Sequence, residues 1–330
     1  MTTVVQVENV GVLAPYNTER RALAAAGVYL EVARCRDAAD LVAQAAGADV
    51  IWLEWRPLIT RSVLEGLPRC GLVMRWGVGY EQVDVAAATD LGVAVANSPG
   101  HCTEDVAEHA LALMLAVTRQ VVDDNRRLVA GGWGGRCSSH RRLQDCTVGV
   151  VGLGRIGRRV AQLCAAFGAD VIGHDPLVSD VPGVRTVDLA ELLRRSDIVS
   201  LHVPDTPSSR GLIDAPALAS MKDAAVLVNT GRGGVVDEDA LLAELRAERL
   251  WAALDVFATE PLPLDHPFRG APQTVLTGHN GASSDRSLEQ LRAAMCSTTL
   301  EWLSTGWAAT IVNPEVRGRT RPSAVNPRRG

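Results

Sequence analysis

The sequence predicts an α/β protein made of two doubly wound domains, each a parallel sheet covered by helices. Short apolar runs near residues 4–7, 50–53, 72–76 and 93–95 alternate with alanine-rich helical stretches near 18–26, 38–46, 60–66 and 83–90. That alternation is the mark of a parallel sheet flanked by helices. The same pattern resumes in the second half, through Val148–Val151, Val171–His174, Ile198–Pro204, Ala225–Thr230 and Ala252–Val256. The two halves also share a phrase in which a helix stops and a strand begins, Gly47-Ala48-Asp49-Val50-Ile51-Trp52 and Gly168-Ala169-Asp170-Val171-Ile172-Gly173. It is too short to count as a repeat.

A chain of 330 residues is long enough for two domains with separate cores. Apolar residues make up 47% and charged residues 22%, an ordinary globular balance. The net charge of -5 argues against a nucleic-acid binder, whose footprint is a basic face. The 7 cysteines form no CxxC pair and no metal-ligand spacing with histidine, so no metal site is expected and the thiols read as reduced, in a cytoplasmic protein. No basic region followed by an apolar core opens the chain, and no apolar run approaches a membrane span.

The connecting elements follow in order. Glu104–Val122 reads as one long helix with Thr103 as N-cap and acids in its first turn, joining a first domain to a second. Asp123–Asp145, centred on Gly131-Gly132-Trp133-Gly134-Gly135, is glycine-rich and basic; it reads either as an arm that grips a partner subunit or as a loop. Ser287–Leu303 reads as a helix returning the chain to the first domain, with residues 304–314 packed there. Residues 315–330, with Arg317, Arg319, Arg321, Arg328 and Arg329 among Pro and Gly, read as a solvated, disordered tail.

One stretch in the second half carries a specific chemical signal. A buried strand, Val148–Val151, runs into Gly152-Leu153-Gly154-Arg155-Ile156-Gly157, then a helix, a second strand and Asp175. In that order, Gly152 allows a tight turn, Gly154 lets backbone N–H groups approach a pyrophosphate, and Gly157 lets helix and strand pack closely. The helix N-terminus directs its positive dipole end at the phosphates. Asp175 can accept hydrogen bonds from both adenosine ribose hydroxyls and would repel a 2′-phosphate, which favours NAD over NADP.

In a doubly wound sheet the ligand crevice lies outside the carboxyl ends of the strands. Arg232 follows one such strand between glycines, where a planar guanidinium can hold a carboxylate and polarise the neighbouring carbonyl. Glu260 and His279 lie in loops after two further strands. A glutamate bonded to one imidazole nitrogen would raise the histidine pKa and fix its tautomer, leaving the other nitrogen to deliver a proton. Taken alone, a loop histidine is more often structural, and spacing leaves open whether the two side chains meet.

From about residue 50 to 314 the chain resembles the D-isomer-specific 2-hydroxyacid dehydrogenases, a family that includes phosphoglycerate, D-lactate, formate and hydroxypyruvate dehydrogenases and the C-terminal-binding corepressors. The resemblance rests on RWGVGYEQVDVAAATDLGVAVANSPG, EDVAEHALALML, VGLGRIG, LHVP, NTGRGGVVDEDAL, ALDVFATEP and the His279 loop, in family order. It implies a Rossmann NAD-binding domain (residues 99–283) inserted into a flavodoxin-like substrate-binding domain (1–98 and 284–314), and a homodimer through the NAD-binding domain. Arg232, Glu260 and His279 fall on the family's catalytic arginine, acid and histidine, and Gly77-Val78-Gly79 on its carboxylate-binding loop. Arg155 and Ile156 would lie under the pyrophosphate, His202, Val203 and Pro204 beside the adenosine, and Thr230, Arg232, Asp255, His279 and Gly281 around the nicotinamide. The implied reaction is reversible hydride transfer between the cofactor and carbon 2 of a small 2-oxo or 2-hydroxy acid.

Some positions depart from the family pattern. Glu54 and Trp55 stand where phosphoglycerate dehydrogenases often carry a basic residue, leaving Arg56 and Arg75 as candidate contacts for a second anionic group. Ala282 replaces the aromatic residue of the corepressors, which weakens the alternative of a dinucleotide-sensing binding protein without turnover. Asn280 replaces the usual Ile or Ala after the histidine. Trp76 and Tyr80 flank the carboxylate loop and either shape specificity or pack in the core; Trp52 reads as core and Cys102 as structural.

Overall fold

In the computed structural model, which describes residues 2–8, 14–133 and 140–321, the apolar runs assemble into two separate sheets whose strand pairs are all parallel. Gly134, Gly135, Arg328 and Arg329, which figure in the expectations above, and Cys137, one of the 7 cysteines, lie outside the described residues. The chain divides into two compact units, Met1–His101 with Ser284–Gly330, and Cys102–Ser283.

The first unit contains β1 (Thr2–Glu8), α1 (Asn17–Ala24), β2 (Val28–Arg34), α2 (Ala38–Ala45), β3 (Val50–Leu53), α3 (Arg61–Glu65), β4 (Leu72–Arg75), α4 (Val85–Asp90) and β5 (Ala94–Ala96). Its strand order is β2-β1-β3-β4-β5, the flavodoxin-like order. Every residue of β3 and β4 is buried, because successive side chains enter cores on opposite faces of the sheet. Ile51, Leu53 and Val73 join Val5 and Leu41 on one face, while Val50, Trp52, Leu72 and Met74 join Val4 and Leu30 on the other.

The second unit contains α5 (Thr103–Thr118), α6 (Val121–Val129), β6 (Thr147–Val151), α7 (Arg155–Ala166), β7 (Asp170–His174), β8 (Arg185–Thr186), α8 (Leu189–Arg195), β9 (Ile198–Leu201), α9 (Ala215–Ser220), β10 (Val226–Asn229), α10 (Glu238–Arg246), β11 (Trp251–Leu254) and β12 (Thr274–Leu276). Its order is β12-β11-β10-β9-β6-β7-β8. The chain runs outward from β6 through β7 to β8, then crosses back to place β9 on the other side of β6. That reversal between β6 and β9 opens the crevice in which doubly wound sheets bind ligands. The chain then returns to the first unit through α11 (Asp285–Thr305), whose Met295, Trp302 and Leu303 cover the Trp52 and Met74 face. Trp52 donates its indole N–H to Thr299 Oγ1 at 2.8 Å, which confirms it as core.

Four local expectations are corrected. The run 104–122 is not one helix: α5 ends at Thr118, and Gln120, at φ 52, starts α6 in a new direction. Thr103 is the first helical residue rather than the N-cap, a position held by Cys102 with no side-chain bond. The beginning of the segment read as an arm or a loop is helical, in α6, although none of its residues is buried. Residues 315–321 are not a solvated tail. Val316 is fully buried, and the Arg321 side chain donates to Leu64 O, Leu67 O and Leu91 O at 3.1, 2.8 and 2.8 Å. These carbonyls lie at or just beyond the ends of α3 and α4, where helices leave acceptors without intrahelical partners. No helix among the described residues is long and apolar enough to cross a membrane.

Asn313 ties the returning segment to β5. Its side chain, 1% exposed, accepts from Val95 N at 2.8 Å and donates to Val93 O and Thr89 Oγ1, each at 3.0 Å. Replacing it with alanine leaves a buried N–H and a buried C=O without partners. Asn313→Ala should therefore lower the free energy of urea unfolding by about 2–3 kcal/mol; a loss under about 0.5 kcal/mol would show that this tie is not structural.

Candidate active site

The turn after β6 is shaped by contacts that only glycine permits. Gly152 adopts φ +91, and a Cβ there would stand 2.7 Å from the His202 carbonyl oxygen. A Cβ on Gly157 would lie 1.9 Å from the Gly152 oxygen, so the first turn of α7 can pack on β6 only without a side chain. Gly154, the N-cap of α7, faces open space. Together these leave a cradle of backbone N–H groups at the start of a twelve-residue helix, with room for an anion. Arg155 is exposed at the head of that helix, while Ile156 is half-buried against the core.

Asp175, just past β7, accepts from Leu153 N through Oδ2 and from Leu177 N through Oδ1, both at 2.8 Å. The acid read as a ribose ligand is thus held against the glycine turn. On the opposite wall, His202 lies 2.9 Å from Ser200 Oγ through Nε2, and burial pushes its imidazole down to about 4, so the ring is neutral. Val203 is half-buried beside Gly152, and Pro204 is exposed.

Past β10, Asn229 braces the next turn, accepting from Gly231 N at 3.0 Å and donating to Arg232 O at 2.9 Å. Gly233 presses so close to Phe257 that a Cβ would fall 1.9 Å from its carbonyl carbon. This clamps the backbone on both sides of Arg232, which is half-buried and donates through Nη1 to Gly231 O at 2.8 Å. Thr230, 9% exposed, has a buried hydroxyl with no hydrogen-bond partner among the described residues. An orphaned buried hydroxyl costs about 1–3 kcal/mol, so its persistence at the carboxyl end of a central strand fits a ligand that supplies the partner. The glycine cradle and this hydroxyl together fit a dinucleotide laid across the strand ends.

Glu260 and His279, whose meeting the sequence left open, are in contact: Nδ1 of the imidazole lies 2.7 Å from Oε2. Oε1 accepts from Phe257 N at 2.9 Å. Burial favours the neutral acid, but the His279 hydrogen bond and charge, the Phe257 N–H and the Arg232 charge outweigh it and hold the Glu260 carboxyl below its ordinary range. Asp255, just past β11 and 1% exposed, lies beneath the histidine loop. Its Oδ1 accepts from Thr277 Oγ1 at 2.6 Å and Asn280 N at 2.8 Å, its Oδ2 from Gly281 N at 2.9 Å, and its backbone oxygen from His279 N at 2.7 Å. Burial opposes the ionised form here too, yet these donors and His109 carry its pKa far below the carboxylate range. His109 and Thr277 were not singled out from the sequence. His109 sits in a helix read as a connector, and only the fold brings it to Thr277.

The substrate residues expected in the first unit are placed as follows. Gly77, at φ +126, follows β4, and Ser98 N donates to its oxygen at 2.9 Å. Val78 is exposed and accepts from Asn97 Nδ2 at 2.7 Å, so the Gly77-Val78-Gly79 turn is braced from beneath. Arg56 is exposed in the loop after β3. Of the two readings open for Trp76, the structure matches core packing: it is 5% exposed, packs edge-on against Trp52, and donates its indole N–H to Gln6 Oε1 at 2.6 Å. It belongs to the core because its position in the strand register directs it onto the Trp52 face. Trp55 and Tyr80 are the exposed aromatic residues of this region, Trp55 lying 4.9 Å from the Arg75 guanidinium. Cys102 is buried, and burial pushes its thiol up to about 11, as befits a structural cysteine.

Comparison with known proteins agrees with this geometry. The family profile described as "D-isomer specific 2-hydroxyacid dehydrogenase, NAD binding domain" matches residues 111–281. D-3-phosphoglycerate dehydrogenase of Mycobacterium leprae is 44% identical over 253 residues, covering 75% of this chain and 48% of that protein. The chain spans about half the length of the curated D-3-phosphoglycerate dehydrogenases it matches. Among solved structures, an acyclic imino acid reductase in complex with NADPH and D-Arg superposes with TM-score 0.87 at 26% identity, over 94% of this chain and 100% of its own. The NAD-dependent formate dehydrogenase from Staphylococcus aureus in complex with NAD superposes with TM-score 0.81 at 30% identity, over 92% and 96% of the two chains. With the cradle, the switch point and the profile match falling on the same unit, the chain belongs to the D-isomer-specific 2-hydroxyacid dehydrogenase family and carries that family's NAD-binding domain.

Proposed function

We propose that the protein is an NAD-dependent oxidoreductase that interconverts a small 2-oxo acid and its D-2-hydroxy acid. The observation that carries this reading is the 2.7 Å contact between His279 and Glu260, built on the Asp255 platform at the carboxyl end of an NAD-binding sheet. With Nδ1 committed to an ionised carboxylate, Nε2 is the ring nitrogen left to give a proton to the forming alkoxide or take one from the hydroxyl. Glu260 fixes the tautomer and orientation of the ring. Arg232 supplies a permanent positive charge for the carboxylate and carbonyl of the substrate. The backbone N–H groups of Gly77, Val78 and Gly79 and the side chain of Arg56 are further candidates for holding substrate anions.

NAD bound in the cradle supplies the hydride donor and acceptor. Gly152, Gly154, Arg155, Ile156 and Gly157 would hold its pyrophosphate and Asp175 its adenosine ribose, with His202, Val203 and Pro204 alongside. Thr230, Asp255 and Gly281 would border the nicotinamide together with Arg232 and His279. A homodimer through this unit is supported by Val121, Leu128 and Val129 of α6 and by Trp133 four residues beyond it, large apolar side chains that are each exposed. A reducing compartment such as the cytoplasm suits the six described cysteines, all free and buried.

The activity is tested by following NADH at 340 nm with a panel of small 2-oxo acids, phosphorylated and unphosphorylated. At least one should be reduced; tight NADH binding with no oxidation by any of them would point to a binding protein instead. The cofactor placement is tested by Thr230→Val, which removes the orphaned hydroxyl and keeps the side-chain shape. The free protein should melt no lower than the wild type, while NADH binds about five-fold or more weakly. An unchanged dissociation constant for NADH would remove Thr230 from the cofactor site.

A further inference from the structure

The backbone of His279 lies at φ 57, in the left-handed region that a non-glycine residue enters at a cost of roughly 1 kcal/mol or more. Such a conformation persists only where its surroundings enforce it. Here the enforcement is the Asp255 carboxylate, which grips Asn280 and Gly281 by their N–H groups and Thr277 by its hydroxyl. Beneath the same carboxylate lies His109, on α5, with Nε2 at 3.0 Å from Thr277 Oγ1 and 3.3 Å from Asp255 Oδ1. The Thr277 hydroxyl has one proton and gives it to Asp255, so toward His109 it can only accept. Nε2 of His109 therefore carries a proton and donates it. The ring is also the floor of the loop: a Cβ on Gly281 would lie 3.4 Å from His109 Cδ2.

We propose that His109 is a positioning residue for the reaction: its Nε2–H, passed on by the Thr277 hydroxyl, orients the Asp255 carboxylate that holds His279 against Glu260. This inference rests on His279 being the acid–base group. It gives the polar contact of His109 with this loop a role that packing alone would not require. The side chain could be any apolar residue of similar size if α5 served only as a connector.

The test compares His109→Leu, which removes the donor, with His109→Gln, whose amide places an N–H₂ near the Nε2 position, and with Thr277→Val, which breaks the relay from the other side. In the free protein, amide hydrogen exchange at Asn280 and Gly281 should be about ten-fold or more faster in His109→Leu and Thr277→Val, with β6 unchanged. In NADH-dependent reduction of a 2-oxo acid, both should lower kcat about ten-fold or more while KM moves less than about three-fold, and His109→Gln should restore most of kcat. Unchanged exchange at Asn280 and Gly281 overturns the proposal, as does faster exchange with an unaltered kcat or a His109→Gln variant as slow as His109→Leu. Were His279→Gln itself to leave turnover intact, the acid–base reading would fail on its own, and the positioning role for catalysis would fall with it even if exchange responded.

Discussion

A single carboxylate at the end of β11 turns a loop into a platform. Asp255 is removed from water and kept ionised by donors arranged around both of its oxygens. Desolvating a carboxylate is expensive unless hydrogen bonds replace its water; here the replacements are the N–H groups and hydroxyl of the loop that carries His279. The same bonds that satisfy the charge fix the loop, so the histidine arrives at Glu260 with its backbone already constrained. Preorganisation of this kind is what the acid–base role proposed for His279 requires.

Topology supplies the rest. The reversal of strand order between β6 and β9 brings the glycine turn and the ends of β9, β10 and β11 to one edge of the sheet. Residues distant in sequence then act together because parallel strands all present their carboxyl ends on that edge. Glycine is used where another backbone or side chain occupies the Cβ position, as at Gly152, Gly157 and Gly233. Thr230 shows the complementary case: a buried polar atom that finds no partner among the described residues, at the place a bound ligand would provide one.

What the sequence made legible follows from what is local. Strands buried on both faces, β3, β4, β6, β9 and β10, stand out as continuous apolar runs, and the glycine turn is read from neighbouring residues. β2 escapes that reading because its exposed Tyr29, Glu31 and Arg34 interrupt the apolar run. α6 was missed because no residue of it is buried. Arg321 was read by its charge, whereas the fold gives it carbonyls at the ends of two helices. At the site, Arg232, Glu260 and His279 were visible as residue types at strand ends. The contact of Glu260 with His279, and of His109 with Thr277, depends on loops and a helix meeting in space, which no periodicity encodes. Trp76 shows the reverse: it neighbours the Gly77-Val78-Gly79 turn in sequence, yet its register directs it into the core.

A double-mutant cycle on kcat/KM for NADH-dependent reduction separates one acid–base unit made of His279 and Glu260 from two independent groups. His279→Gln should lower kcat/KM about 10²-fold or more, and adding Glu260→Gln to it should cost little further, because groups that act as a unit are not additive. Losses that multiply independently, or a His279→Gln enzyme as fast as the wild type, would mean that the two residues do not form an acid–base unit.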